Sequence, residues 1–358
     1  MSKRTRMSRL DKVFERVDRG GAFVGLDVHK KTINVALWLD EHVAASWVMP
    51  AETSTVARML APHGDKITQV VYEAGPTGYG LARALRRAGL AVEVVAPGRS
   101  PRPAVRETKA DRLDAERLAE YAAKGLLVAV AVPSETEEAD RQLVRLREQL
   151  VKKRRRVKQQ IKSFLLQHGV AEPRGLSQWS RVAVAALRGL GLGPTLRLCL
   201  DVLLDELAEL EAHVRHLERA LRELAATARH AEAVAIARTH PGVGPVVAMN
   251  YLVEVHRGGR FDEPREVASY IGLAPRVRQS GLMRRDGPIG RTGRASMRAL
   301  LVEAAWRWRQ LDQGARRLFQ RLLHNTGSAK KAIVALARHL AVNLWAMLTR
   351  GEPYRDAA

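Results

Sequence analysis

Four carboxylates in the first third of the chain have the setting of a metal site. Asp27 lies in GLDVHKK near the end of an apolar run, and Glu73 closes another, VVYEA, just before GPTGYG. Asp111 and Asp114 stand three apart in KADRLDAERLAEYAAKG, so a helix would set both on one face. Alternation along AFVGLDV puts Val24 and Leu26 on one side and Asp27 on the other. A carboxylate buried there alone would be costly, so it is either solvated or neutralised by a cation. Acids gathered from separate elements repel one another unless divalent ions sit among them, and oxygen-only clusters suit Mg²⁺ or Mn²⁺. Two such ions can clamp the attacking and leaving oxygens of a phosphodiester. Singly, each acid reads as an ordinary strand-end or helix charge. Together they point to phosphoryl transfer.

A second constellation lies far along the chain, in LAPRVRQSGLMRRDGPIGRTGRASMRALL. Between Arg276 and Arg298 there are seven arginines (276, 278, 284, 285, 291, 294 and 298) and one acid, Asp286. Arginine forks match phosphate oxygens, which makes Arg276, Arg278, Arg284, Arg285, Arg291 and Arg294 candidate nucleic-acid contacts. Ser280 stands before Gly281, where the backbone can come close to a phosphate. Its alcohol would need a base, a metal or surrounding cations to act as a nucleophile. A solvated basic loop with an incidental serine is the plainer alternative, and Ser296 is the fallback nucleophile. Gly242 and Gly244 in PGVGP, between helical stretches, match a helix-hairpin-helix turn whose amides hold phosphates, or a simple tight turn. The run KKRRRVK brings Lys152, Lys153, Arg154, Arg155 and Arg156 together on a helix, as a solvated face or a nucleic-acid groove.

The elements that position these residues follow from periodicity. AFVGLDVHK, TINVALWLD and VAASWVMP read as an antiparallel meander; a helix (STVARMLAPHG), a strand (ITQVVYEA), a helix (GYGLARALRRAG), a strand (AVEVVAP) and the Asp111 helix follow. Three strands and then alternating helices and strands is the order of an RNase H-type α/β fold, in which the first and fourth strands adjoin. From about 134 to 230 the chain is helical. Leu196, Leu200, Leu203, Leu207, Leu210, Val214, Leu217, Leu221 and Leu224 keep alternating steps of four and three, which predicts a coiled coil that closes within the chain or, as favoured here, between protomers. The segment 231–358 reads as a small, mostly α domain. Residues 1–21 read as a basic flexible arm, 22–133 as the RNase H-type domain.

Composition narrows the partners. The 358 residues carry 60 Lys plus Arg against 38 Asp plus Glu, a net charge of +22, which calls for a polyanion. No apolar run approaches the ~18–20 residues of a membrane span, and the basic N-terminus lacks a secretory apolar stretch, so a cytoplasmic protein is expected. Cys199, the only cysteine, excludes an internal disulfide and reads as packing in TLRLCLDVLL. His213 and His216 share a helix face without further zinc ligands. Gly75, Gly78 and Gly80 do not follow the dinucleotide pattern, and no GxxxxGK[ST] occurs, so ATP and NAD are not expected.

The segments GLDVHKKTINVAL, YEAGPTGYGLARAL, KADRLDAERLA, PGVGPVVA, YIGLAPRVRQSG and GRTGRASMRALL together resemble the DEDD-type insertion-sequence transposases, the RNA-guided bridge recombinases. The resemblance implies a RuvC-like N-terminal domain, a coiled-coil middle and a C-terminal transposase domain. By position it assigns Asp27, Glu73, Asp111 and Asp114 to a metal-binding tetrad and Ser280 to a nucleophile joined covalently to DNA. It further implies a structured guide RNA pairing with donor and target DNA, and a dimer or tetramer in which one protomer's tetrad faces another's serine. Two departures stand out: the basic arm is long for the family, and Gln279 precedes Ser280 where a second serine is common. A RuvC-like nuclease or junction resolvase using water, and a non-enzymatic basic coiled-coil protein, are the alternative readings.

Overall fold

β-branched and apolar residues alternate through three short strands that pair as a meander. They are β1 (Ala22–Val28), β2 (Thr32–Leu39) and β3 (His42–Pro50). Asp40 and Glu41 both take positive φ, 48° and 64°, which gives the β2–β3 turn the twist a two-residue hairpin needs. β4 (Ile67–Glu73) then runs parallel to β1, and β5 (Val92–Val95) parallel to β4, with the short β6 (Ala129–Val130) at the edge. The order β3-β2-β1-β4-β5-β6 places the first and fourth strands side by side, as expected of an RNase H-like fold. Helices α1 (Thr53–Leu60) and α2 (Gly80–Arg87) contribute Val56, Leu60, Leu81 and Leu85 to a core with Val24, Leu26, Val35, Val70 and Tyr72. Helix α3 (Asp111–Ala123) packs on β1, β2 and β4 through the opposite face, where Phe23, Ala36, Val71 and Val95 lie.

The computed structural model describes residues 11–15, 17, 20–97, 111–256, 259–280, 283–290 and 293–355, the side chains at 111, 277–280 and 283–286 excepted. It corrects the reading of 1–21 as one flexible arm. Residues 11–14 are helical, and Phe14 and Val17 are buried in the core of the sheet. Phe14 stacks on His63 with centroids 4.2 Å apart, and Lys66 Nζ donates to the Phe14 carbonyl at 2.7 Å. Two apolar side chains three residues apart are enough to draw a basic segment onto the sheet.

Residues 135–358 form the second compact unit. Its two longest helices are α4 (Glu135–Gln167) and α6 (Pro194–Ala225), separated by α5 (Arg181–Arg188). Arg147 pairs with Glu218 and Lys158 with Glu211, so the two helices run antiparallel. The leucine seam therefore has its partner in the same chain: Leu200, Leu207 and Leu210 pack with Val157, Ile161 and Leu165, joined by Leu204, and Ala183 and Leu187 of α5 cover one end. No break falls at residue 230. Val144, Leu221 and Ala225 share a core with α7 (Ala231–Arg238), α8 (Pro245–Glu254), α9 (Pro264–Ile271), α10 (Ala295–Leu311), α11 (Gln313–Thr326) and α12 (Ala329–Arg350). Cys199 is exposed rather than packed, because the seam turns its neighbours Leu200 and Leu204 inward. α12 is long and apolar enough to cross a membrane by length and composition, contrary to the expectation that no run would be. Its Leu336, Ala337, Leu340, Ala341 and Leu344 are instead fully buried in this core.

Candidate active site and nucleic-acid interface

The acids of the first unit are set by register. Asp27 pairs with Asn34 of β2, and Leu26 pairs with Tyr72 of β4, so Asp27 and Glu73 are the next residues along two adjoining strands. Gly25 and Val71 pair with each other and face α3, and alternation carries Asp27 and Glu73 to that same face. Gly25 is a glycine for a reason: a Cβ there would stand 2.1 Å from the Ala115 carbonyl oxygen and 2.6 Å from the Ala119 nitrogen. The backbone of α3 thus rests directly on β1. Leu118 and Ala122 lie over Phe23 and Val95, and Ala115 and Ala119 over Gly25 and Ala36, so the first turn of α3, bearing Asp111 and Asp114, is directed toward the Asp27 end of the sheet.

Asp27 shares a hydrogen bond with His29 Nε2 at 2.8 Å and accepts a longer one from Asn34 Nδ2 at 3.5 Å. Its side chain is 21% exposed, that of Asp114 40%, and Arg117 lies 3.7 Å from Asp114. Among the described residues no three of His, Cys, Asp and Glu are grouped to hold one ion; Asp111's side chain is outside that description. The donor chemistry still fits a hard divalent cation, because the acidic residues that the fold turns to this end of the sheet offer oxygens only. Asn34 and Gly25 went unremarked in the sequence. An asparagine inside an apolar strand and a glycine two residues before an acid were the available signals.

The serine of the second unit is on a strand, not in a loop. β7 (Pro275–Ser280) and β8 (Met283–Ile289) form a separate two-stranded ribbon. Ser280 ends β7 opposite Met283, Gln279 is opposite Arg284, and Arg278 is opposite Arg285. Arg276 is exposed and donates to the Gly290 carbonyl at 3.1 Å. Arg291 is outside the described residues.

Two family descriptions match the chain. A DEDD-type IS110 transposase description covers residues 24–170, and one for the "Transposase IS116/IS110/IS902 family" covers residues 234–320. The transposase y4qE of Sinorhizobium fredii is 32% identical over 336 residues, 92% of this chain and 83% of its own length. The chain belongs to the IS110 transposase family. The transposase for insertion sequence element IS1111A of Coxiella burnetii is 28% identical over 85% of this chain and 82% of its own length. The pilin gene-inverting protein of Moraxella bovis is 30% identical over 118 residues, 32% of this chain and 37% of its own length. The protein is thus a DNA transposase of the insertion-sequence type, in a family that uses divalent metal.

In this IS110-family transposase several predicted contacts have prior commitments. Arg294 pairs with both Glu254 and Glu148, and Glu254, 6% exposed at its side chain, also receives a bidentate fork from Arg145 at 2.7 and 2.9 Å. Arg294 therefore ties the chain after the ribbon to α4 and α8. Ser296 hydrogen-bonds Glu148; burial pushes that carboxyl up, but the bonds from Lys152 and Ser296 and the Arg294 charge outweigh it and hold it below its ordinary range. Lys152 is the partner of Glu148 at 2.5 Å, whereas Lys153, Arg154, Arg155 and Arg156 have no carboxylate within ion-pair distance among the described residues. Gly242 has φ +88°, and a Cβ there would stand 2.7 Å from the Ala304 oxygen and the Trp308 nitrogen, so its role in packing α10 is explicit. Gly244 caps α8 in open space. His240, buried between Trp308 and Tyr354 with centroids 4.6 and 4.4 Å away, went unpredicted; burial pushes its imidazole down to about 4.

Proposed function

We propose that this transposase cuts and rejoins DNA through Ser280, with Asp27, Glu73, Asp111 and Asp114 holding Mg²⁺ or Mn²⁺. The observation that carries the reading is the register that puts Asp27 and Glu73 side by side beneath the first turn of α3. A bound divalent ion would supply polarisation of the scissile phosphate. The Ser280 oxygen forms a bond to phosphorus, the sugar oxygen on the other side leaves and takes up a proton, and the serine proton passes to a base. The phosphoserine link keeps the bond energy, and a sugar hydroxyl reverses the step on a new strand. Arg278, Arg284 and Arg285, at register positions beside Ser280, suit the charge that builds on the phosphoryl oxygens. Arg276 and Arg291, and the amides at Gly242 and Gly244, would hold the strand, with Arg294 orienting the ribbon.

Replacing Ser280 with Ala should abolish a covalent protein–DNA adduct, read on denaturing gels, while filter binding of DNA is retained, and S296A should keep the adduct. An adduct that survives S280A overturns the assignment, and nicking without any adduct in the wild type would transfer the attack to water. A structured RNA encoded beside the gene would select donor and target. The reading is supported by the +22 charge and by the carboxylate-free run from Lys153 to Arg156 on α4. Sequencing RNA from the purified protein should return one enriched species from the element's flank, and bulk cellular RNA alone would argue against a guide. The working form is proposed to be a dimer or tetramer with one protomer's acids serving another's serine.

A further inference from the structure

Apart from the ribbon and the acids, the second unit holds a cavity of about 720 Å³ bounded by the end of α10, by α11 and α12, and by the tail at 351–355. Its walls are cationic by helix spacing. Arg317 and Arg321 stand one turn apart on α11, and His339 and Arg350 lie along α12. Glu352 is the one acid lining it among the described residues, and its partner is Arg355 at 3.8 Å. Arg317, Arg321 and Arg350 are exposed, with no carboxylate in ion-pair range among the described residues. Loss of hydration first, and then the charges of Arg338 and Arg321, hold the His339 imidazole below the ordinary range, so the cations of the wall are the arginines. Three unpaired guanidinium groups around one hollow repel each other unless an anion enters.

The hollow also has an aromatic wall. Tyr354 is half-buried and edge-on to Trp308, with centroids 6.3 Å apart and planes at 90°. Trp308 is 3% exposed, and its buried indole N–H has no hydrogen-bond partner among the described residues. Cations and an aromatic face together are the combination that binds single-stranded nucleic acid, phosphates on the former and a base on the latter. A cavity of this size takes a ligand the size of a nucleotide, whereas a double helix, whose major groove alone is roughly 12 Å wide, is too broad to enter it. We infer that this pocket receives one unpaired nucleotide of a DNA or RNA strand, its phosphates on Arg317, Arg321 and Arg350 and its base against Tyr354. The inference rests on the protein's action on nucleic acid and not on the role proposed for Ser280.

The test uses full-length protein and three fluorescein-labelled probes of one sequence: a 12-nucleotide DNA strand, the same strand as RNA, and the DNA duplex. Anisotropy is read from 50 to 300 mM NaCl. In the triple variant R317Q/R321Q/R350Q the slope of log affinity against log salt should shrink by about 1.4 for the single strands, at ~0.7 for each of the two phosphates that flank one nucleotide. The duplex slope should hardly change. Whichever single strand loses more affinity names the source. Y354L should weaken single-strand binding by about tenfold with the salt slope kept, and it tests the base independently should the triple variant melt early. Unchanged slope and affinity for both single strands, or an equal loss for duplex and single strand, would overturn the pocket. Adduct formation by Ser280 is scored separately, so either proposal can fail alone.

Discussion

The two units position the residues of the proposed chemistry by different means. In the first, Asp27 and Glu73 are fixed by a six-stranded sheet whose register leaves no freedom, and α3 is pressed onto that sheet through Gly25. In the second, Ser280 is carried on two strands, too few to be stable alone. That ribbon is held from its base: Gly290 N–H donates to the Ala274 carbonyl, Arg298 donates to Ile271, and Arg294 is gripped by Glu254 and Glu148. Metal ligands, the role proposed for Asp27 and Glu73, tolerate errors of only a fraction of an ångström and so belong on a rigid sheet. The nucleophilic role proposed for Ser280, to attack, hold and release a strand, is better served by an anchored projection.

This contrast can be broken most sharply at the acids. D27N should lower Mg²⁺-dependent strand cleavage by about 10³-fold, the scale of several kcal/mol of lost transition-state stabilisation. DNA binding measured in EDTA should be unaffected. Cleavage at the wild-type rate would remove Asp27 from the site.

The glycines test the two scaffolds against each other. G25A forces α3 off β1 and should cost about 2–3 kcal/mol in urea unfolding. G242A adds a strained positive φ to its clash with α10 and should cost about 1 kcal/mol more. The sharper expectation concerns activity: G25A should also depress metal-dependent cleavage, whereas G242A should act through stability. If G25A melts early yet cleaves normally below its Tm, the seating of α3 does not set the acids.

The smallest effect expected is a pH dependence confined to the second unit. The His240 imidazole is held at about 4 in the folded protein against about 6.5 when unfolded. The unfolded chain therefore binds the proton first, and stability falls as pH drops through 6.5, levelling off below about 4. The loss should be about 1.4 kcal/mol at pH 5.5 relative to pH 8. H240F should flatten that limb in thermal melts, and a limb that stays as steep would show that other groups govern it.

Much of the first unit was legible because its signals are local. Alternation along β1 placed Asp27 opposite Val24 and Leu26, and the strand and helix order implied the neighbours that Asp27 and Glu73 became. The ribbon was missed because PRVRQS and MRRDGPI have arginine where a strand's apolar alternation would be, so periodicity could not distinguish it from a loop. Phe14 and Val17 were hidden in the same way, as two apolar residues among basic ones.

By itself the sequence determined which residues share a face, which elements follow one another, and that the partner is a polyanion, since periodicity and net charge are properties of the chain alone. Only the tertiary structure decided what each face meets. It gave the leucine seam a partner in α4, engaged Arg294 and Ser296 with buried acids, and gathered Arg317, Arg321 and Arg350 around one hollow. The physical reason is that burial and ion pairing depend on segments distant in sequence, and no local pattern records which of several apolar or charged faces will be the one to arrive.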